Sequence, residues 1–103
     1  MGATPRMTLA TLQVLSILVD DARAKHYGLQ LSKRAGLKPG TIYPILARLE
    51  EAGWVTSAWE DIDPAIEGRP LRRYYQLSLD GAERARRALT EAQRSLALRT
   101  GTS

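Results

Sequence analysis

The chain has 103 residues, 44% of them hydrophobic, enough for one small domain that buries about 60 to 65% of its unfolded surface and is often completed by a partner subunit. It has no cysteine and therefore no disulfide or thiolate metal site, and its lone histidine, His26, has no second ligand nearby, so no cofactor is expected. A net charge of +4 and a sequence pI near 9.9 favour a polyanionic partner such as nucleic acid.

No apolar run approaches the roughly 20 residues that span a bilayer. The N-terminal MGATPRM also lacks the apolar core of a signal peptide, so a cytoplasmic protein without a membrane partner is expected. Residues 1–7 carry no pattern and read as a flexible arm. Thr8 can cap a first helix that runs to about Asp20. Leu9, Leu12, Leu15 and Leu18, widened by Val14, Ile17 and Val19, give that helix a face broad enough for burial on two sides, part of it against a partner subunit.

Residues 20–26 read as a polar connection. A short supporting helix follows over Tyr27 to Ala35, with Tyr27, Leu31 and Ala35 four apart. A tight turn at Gly36 and Leu37 leads into a longer helix that stops at Gly53, which makes a helix-turn-helix. At 100° per residue, Ile42, Ile45, Leu46 and Leu49 of this helix share about a third of the circumference. Gly40, Pro44, Ala47, Arg48 and Glu51 fall opposite, a face of small residues and one arginine suited to lying against a grooved partner. Pro39 suits a first turn. Pro44 fits best if the helix proper begins near Gly40 or Thr41, where its missing N–H costs little.

After Gly53 the period changes to alternation. Val55, Ser57 and Trp59 lie on one side and Trp54, Thr56 and Ala58 on the other, a strand. Asp61 to Gly68, with two aspartates, a glutamate and Pro64, reads as a loop. Arg72 to Leu77 alternates again, with Tyr75 and Leu77 on one face. Two strands joined by a loop directly after a helix-turn-helix form a wing. Ser78 can cap a last helix in which Ala82, Ala85, Leu89, Ala92 and Leu96 are spaced three, four, three, four, the seam of a coiled coil. This seam is expected to be a homodimer interface; packing on the chain's own first helix is the competing reading. The expected fold is therefore mainly α (α+β). A winged helix-turn-helix spans residues 8–77, a C-terminal dimerisation helix spans 78–98, and the ends at 1–7 and 99–103 are flexible.

The stretch YGLQLSKRAGLKPGTIYPILARLEEAGW, followed by the basic GRPLRRYYQLSLDG, resembles the PadR family of bacterial transcriptional regulators from about Leu9 to Gly81. The strongest parts are Gly40 to Pro44 with Leu46 and Leu49, Glu50 to Gly53, and Gly68 to Pro70 with Tyr74 and Tyr75. The resemblance implies a winged-helix repressor acting as a dimer on DNA. It also permits a small aromatic or hydrophobic effector, since members of the family are often released from DNA by such molecules.

A helix-turn-helix places the start of its second helix in the major groove, where each base pair shows a distinct donor and acceptor pattern. The candidates there are Thr41, Tyr43, Pro44 and Arg48. Arg48 can bind guanine bidentately, or instead pair with Glu50 or Glu51 on the surface. Thr41 and Tyr43 flank the outward face and suit phosphates, as does Lys38 at the positive end of the helix dipole. Arg69, Arg72 and Arg73 cluster on the wing, with Pro70 stiffening its approach, and are expected to touch phosphate or minor groove. Enzymatic readings fail for want of a nucleophile elbow, a phosphate loop or a second histidine. The competing class is a winged-helix protein-interaction module without DNA binding, which would need no arginines on its wing. The expected DNA partner is a double-stranded, inverted-repeat operator.

Overall fold

The computed structural model describes residues 4–99. The ends expected to be flexible at 1–3 and 100–103 lie outside these residues. Thr8 accepts a hydrogen bond from the Thr11 amide and opens α1 (Leu9–Asp20), which buries Val14, Leu15 and Leu18. Met7, just before the cap, packs against the core, so this end of the arm is held rather than frayed.

The expected helix over Tyr27 to Ala35 is one residue too long. Tyr27 and His26 form a short strand, β1 (His26–Tyr27), and α2 (Gly28–Ala35) starts after it. Residues 20–26 are also less loosely placed than a polar connection suggests. His26 is buried, and its Nε2 lies 3.0 Å from the Asp21 carbonyl oxygen.

Gly36 closes α2 with φ +66, a left-handed conformation that a side chain would strain. Its amide and that of Leu37 donate to the Lys33 and Ser32 carbonyls, and the Ser32 hydroxyl donates to the Leu37 carbonyl. This turn directs the chain into α3 (Pro39–Glu51), which buries Ile42, Ile45, Leu46 and Leu49 as the wheel requires. Because α3 begins at Pro39, Pro44 lies in its second turn and not at the edge of the first. The Gly40 carbonyl consequently has no amide at position 44 to accept from. Pro44 and Gly40 are both exposed.

The wing strands are β2 (Val55–Trp59) and β3 (Arg73–Leu77), antiparallel with Val55 opposite Leu77 and Trp59 opposite Arg73. β1 pairs with the other edge of β3, so the expected hairpin is a three-stranded sheet in the order β1-β3-β2. The segment read as a loop holds one turn of helix, α4 (Pro64–Glu67), whose Asp63 side chain accepts from the Ala65 amide. Ser78 accepts from the Gly81 amide at 2.8 Å and starts α5 (Leu79–Arg99). α5 packs along α1, and one core joins α1, α2, α3, the sheet and the first half of α5. No described helix is long and apolar enough to cross a membrane.

Candidate nucleic-acid interface

The four aliphatics that fix α3 to the core leave Thr41, Tyr43, Pro44, Ala47 and Arg48 exposed on its far side. Lys38 precedes the helix, and its carbonyl accepts from the Thr41 and Ile42 amides. Its ammonium, like the Arg48 guanidinium, has no ion pair among the described residues. The carboxylates that might have paired Arg48 are otherwise placed. Glu50 accepts from the Ser57 hydroxyl at 2.6 Å and lies 3.7 Å from Arg73, and Glu51 holds no ion pair among the described residues. Arg48 is the tenth of thirteen residues in α3, in its third turn.

The wing arginines are held differently. Arg69 grips Glu60 with two hydrogen bonds, at 2.6 and 3.0 Å, and Arg72 grips the same carboxylate at 3.1 and 3.3 Å. The Arg72 amide adds a third contact at 2.9 Å, and the Tyr27 hydroxyl a longer one at 3.4 Å. The Glu60 side chain is 7% exposed. Hydrogen bonds from Arg69 and then Arg72 hold its carboxyl well below the usual carboxylate range, and the same carboxylate raises the Arg69 pKa. Arg73 donates to the Ser57 hydroxyl at 3.0 and 2.7 Å, so Glu50, Ser57 and Arg73 clasp the base of the wing to the end of α3. Arg72 also lies over the Tyr27 ring at 4.2 Å and Arg73 beside the Trp59 ring at 5.7 Å. Each of the three wing arginines therefore has a partner in the chain.

Between α2, α3 and the wing runs a groove of about 660 Å³ whose lining includes Lys33, Tyr43, Trp59, Leu71, Arg72 and Arg73. It brings Tyr43, expected on α3, together with two of the wing arginines. Lys33, Trp59 and Leu71 were not among the residues expected there. Trp59 is 58% exposed, because the inward face of β2 runs beyond the core after Val55. Glu60 was also missed, although it continues the hairpin register one step past Trp59 and Arg73, opposite Arg72, where an opposite-charge pair is favoured. Burial raises the Tyr75 hydroxyl pKa.

The seam on α5 divides in two. Ala82 and Ala85 are covered by the chain's own core, Ala85 completely, so packing on the chain itself accounts for them and leaves a second subunit little to touch. Leu89 and Ala92 are half-buried and Leu96 is exposed. No group of three or more His, Cys, Asp and Glu residues that could hold a metal occurs among the described residues.

The model of the transcriptional regulator PadR-like family matches residues 14–87, a span that includes α2, α3, the wing and half of α5. The chain belongs to that family. Its members are transcriptional regulators rather than enzymes. The chain is 32% identical over 74 residues to the HTH-type transcriptional regulator AldR of Mycolicibacterium smegmatis, covering 72% of this chain but only 42% of AldR. A PadR family transcription regulator from Clostridium difficile superposes with a TM-score of 0.70 at 22% identity, over 90% of this chain and 98% of that one. The PcaV transcriptional regulator from Streptomyces coelicolor, in complex with its natural ligand, gives 0.74 at 19% identity, over 97% and 65% of the two chains. Both structures share the fold, a winged helix with a C-terminal helix.

Proposed function

We propose that this PadR-like chain is a homodimeric repressor that binds an inverted-repeat operator in double-stranded DNA and is released by a small aromatic or hydrophobic effector. The observation that carries the reading is the outer face of α3. Lys38 and Arg48, whose charged groups have no ion pair among the described residues, bracket the exposed Thr41, Tyr43 and Pro44. A helix whose far side is anchored by four buried aliphatics presents these groups as a rigid unit, as major-groove reading requires. Lys38, Thr41 and Tyr43 suit phosphates, Arg48 a base edge, and Arg69, Arg72 and Arg73 the flanking backbone. A protein-interaction module would have no use for so many cations around one small-residue face.

The dimer reading rests on apolar surface left uncovered. Met7, Leu9, Leu12, Ala88, Ala92 and Leu96 line a groove of about 500 Å³ between α1 and α5. Leu9 and Leu98 are also largely exposed, and a second copy of the same surface would cover them. A two-fold axis there would present two α3 helices and call for an inverted repeat. The effector is proposed by analogy with PcaV and its ligand, and the cytoplasm as the compartment where such a regulator meets DNA.

Selection of bound fragments from the source genome, followed by footprinting, tests the reading. A protected site with a dyad is expected. Failure to retard random duplex even at low salt would contradict DNA binding, and a monomer-sized footprint without a dyad would contradict the dimer.

A further inference from the structure

Gly28, the first residue of α2, is buried under the ring of Tyr43. A Cβ at position 28 would lie 2.6 Å from both Cε1 and the hydroxyl oxygen of Tyr43 and 2.8 Å from its Cζ, far inside van der Waals contact. The atoms in the way are the far end of one side chain and not backbone. A methyl group at 28 would therefore displace the ring rather than break the fold.

The displaced ring would have one open direction. Tyr43 is 39% exposed and borders the groove that it shares with Trp59, Leu71, Arg72 and Arg73. Its hydroxyl has no hydrogen-bond partner among the described residues, so it is available to a ligand of the α3 face. Its backbone is confined as well, by its place inside α3. With the backbone fixed on one side and Gly28 setting the ring on the other, the position of the phenol depends on a glycine that is itself buried.

We propose that Gly28 is a positioning residue for DNA binding: its missing side chain seats the Tyr43 ring so that the hydroxyl meets a phosphate. The proposal rests on the reading of Tyr43 as a DNA contact and adds the element that sets its geometry. Gly28 acts through Tyr43 alone, so its substitution should matter only while Tyr43 is present.

The test is a double-mutant cycle on Gly28→Ala and Tyr43→Ala, read as affinity for a random-sequence duplex of about 30 base pairs at low salt, with thermal unfolding alongside. Each single variant is expected to bind at least roughly fivefold more weakly, for one hydrogen bond lost in each subunit of the proposed dimer. The double variant is expected to bind within about twofold of Tyr43→Ala. Tyr43→Phe should weaken binding as Tyr43→Ala does, and adding Gly28→Ala to it should change little. Gly28→Ala should lower the unfolding temperature in the wild-type background and not in the Tyr43→Ala background, where alanine is the better helix former. NOEs between Gly28 Hα and the Tyr43 ring protons in the wild type are a variant-free arm, expected to be present. If Tyr43→Ala weakens binding and Gly28→Ala does not, the seat is wrong while the contact stands. An equal loss from Gly28→Ala in both backgrounds, or absent NOEs, likewise overturns the proposal. If Tyr43→Ala binds as the wild type does, the contact itself fails; if the wild type does not bind duplex, the DNA-binding reading fails with it.

Discussion

The α3 helix and the wing both present cations, but among the described residues only the helix leaves them without an ion pair. On α3, the charged groups of Lys38 and Arg48 have no ion pair among the described residues, and the rigidity of that face comes from the aliphatics beneath it. On the wing, Glu60 holds Arg69 and Arg72, while Glu50 and Ser57 hold Arg73. Residues 55–77 carry three arginines and four carboxylates, Glu60, Asp61, Asp63 and Glu67, so the wing has no net positive charge. Glu50 belongs to α3, so the same bonds fix the angle between wing and helix. The wing is thus ordered by bonds within the chain, at the cost of its positive field. The helix keeps its charge free and takes its order from the core.

The largest effect is expected at the proposed dimer, because paired α3 helices would read two half-sites while a phosphate contact needs only charge near the duplex. Leu96→Glu would place a carboxylate on the exposed apolar surface that the proposed dimer buries, at a cost of several kcal/mol unless the subunits separate. Light scattering is expected to show a wild-type dimer at micromolar concentration and a Leu96→Glu monomer. That monomer should lose the operator and keep weak, salt-sensitive binding to random duplex.

Pro44→Ala sharpens the helix side. It restores an amide to the Gly40 carbonyl and should stabilise the fold by about 1 to 3 kcal/mol in denaturant unfolding. If operator affinity falls despite that gain, the proline ring or the local backbone it imposes belongs to the DNA-facing surface.

Glu60→Gln sharpens the wing side. The folded carboxyl is held below its unfolded value, so the stability it contributes is fully present above about pH 4.3 and is lost as pH falls below that value toward the folded pKa. The wild type should therefore lose stability between about pH 4.3 and pH 3, and Glu60→Gln should show a shallower slope there. The same change frees two guanidiniums, so affinity for random duplex should rise at neutral pH, with a salt slope steeper by about one unit for each additional phosphate neutralised. An unchanged acid slope would mean that the carboxylate is not held as described.

What was legible beforehand follows from which interactions are local. The stripe of α3 and the Thr8 and Ser78 caps are each written within a few residues, and each stands where expected. The alternation marks β2 as a strand, but Trp54, expected in it opposite Val55, precedes it and is buried as Val55 is, while Trp59 is exposed. The two-residue strand β1 was not legible, because its pairing with β3 joins residues nearly fifty apart and two residues carry no period. Pro44 misled through an assumption about where the helix begins. Ala82 and Ala85 show the limit of a heptad pattern, which marks a buried face without saying whose surface covers it. At the site, the exposed residues of α3 followed from the wheel. The partners of Arg69, Arg72 and Arg73 required knowing that Glu60 stands across the hairpin, and the seat of Tyr43 required α2 and α3 in contact.

The central claim is that α3 reads sequence while the wing supplies position. It is tested most directly by measuring Arg48→Ala and Arg73→Ala side by side on the selected operator and on random duplex, across a salt series. Arg48→Ala is expected to lose roughly 1 to 3 kcal/mol on the operator and much less on random DNA. Arg73→Ala is expected to weaken both alike and to lower the salt slope by up to about one unit for each phosphate that the arginine no longer neutralises. Equal losses on the two DNAs from Arg48→Ala, together with an unchanged slope for Arg73→Ala, would contradict the account.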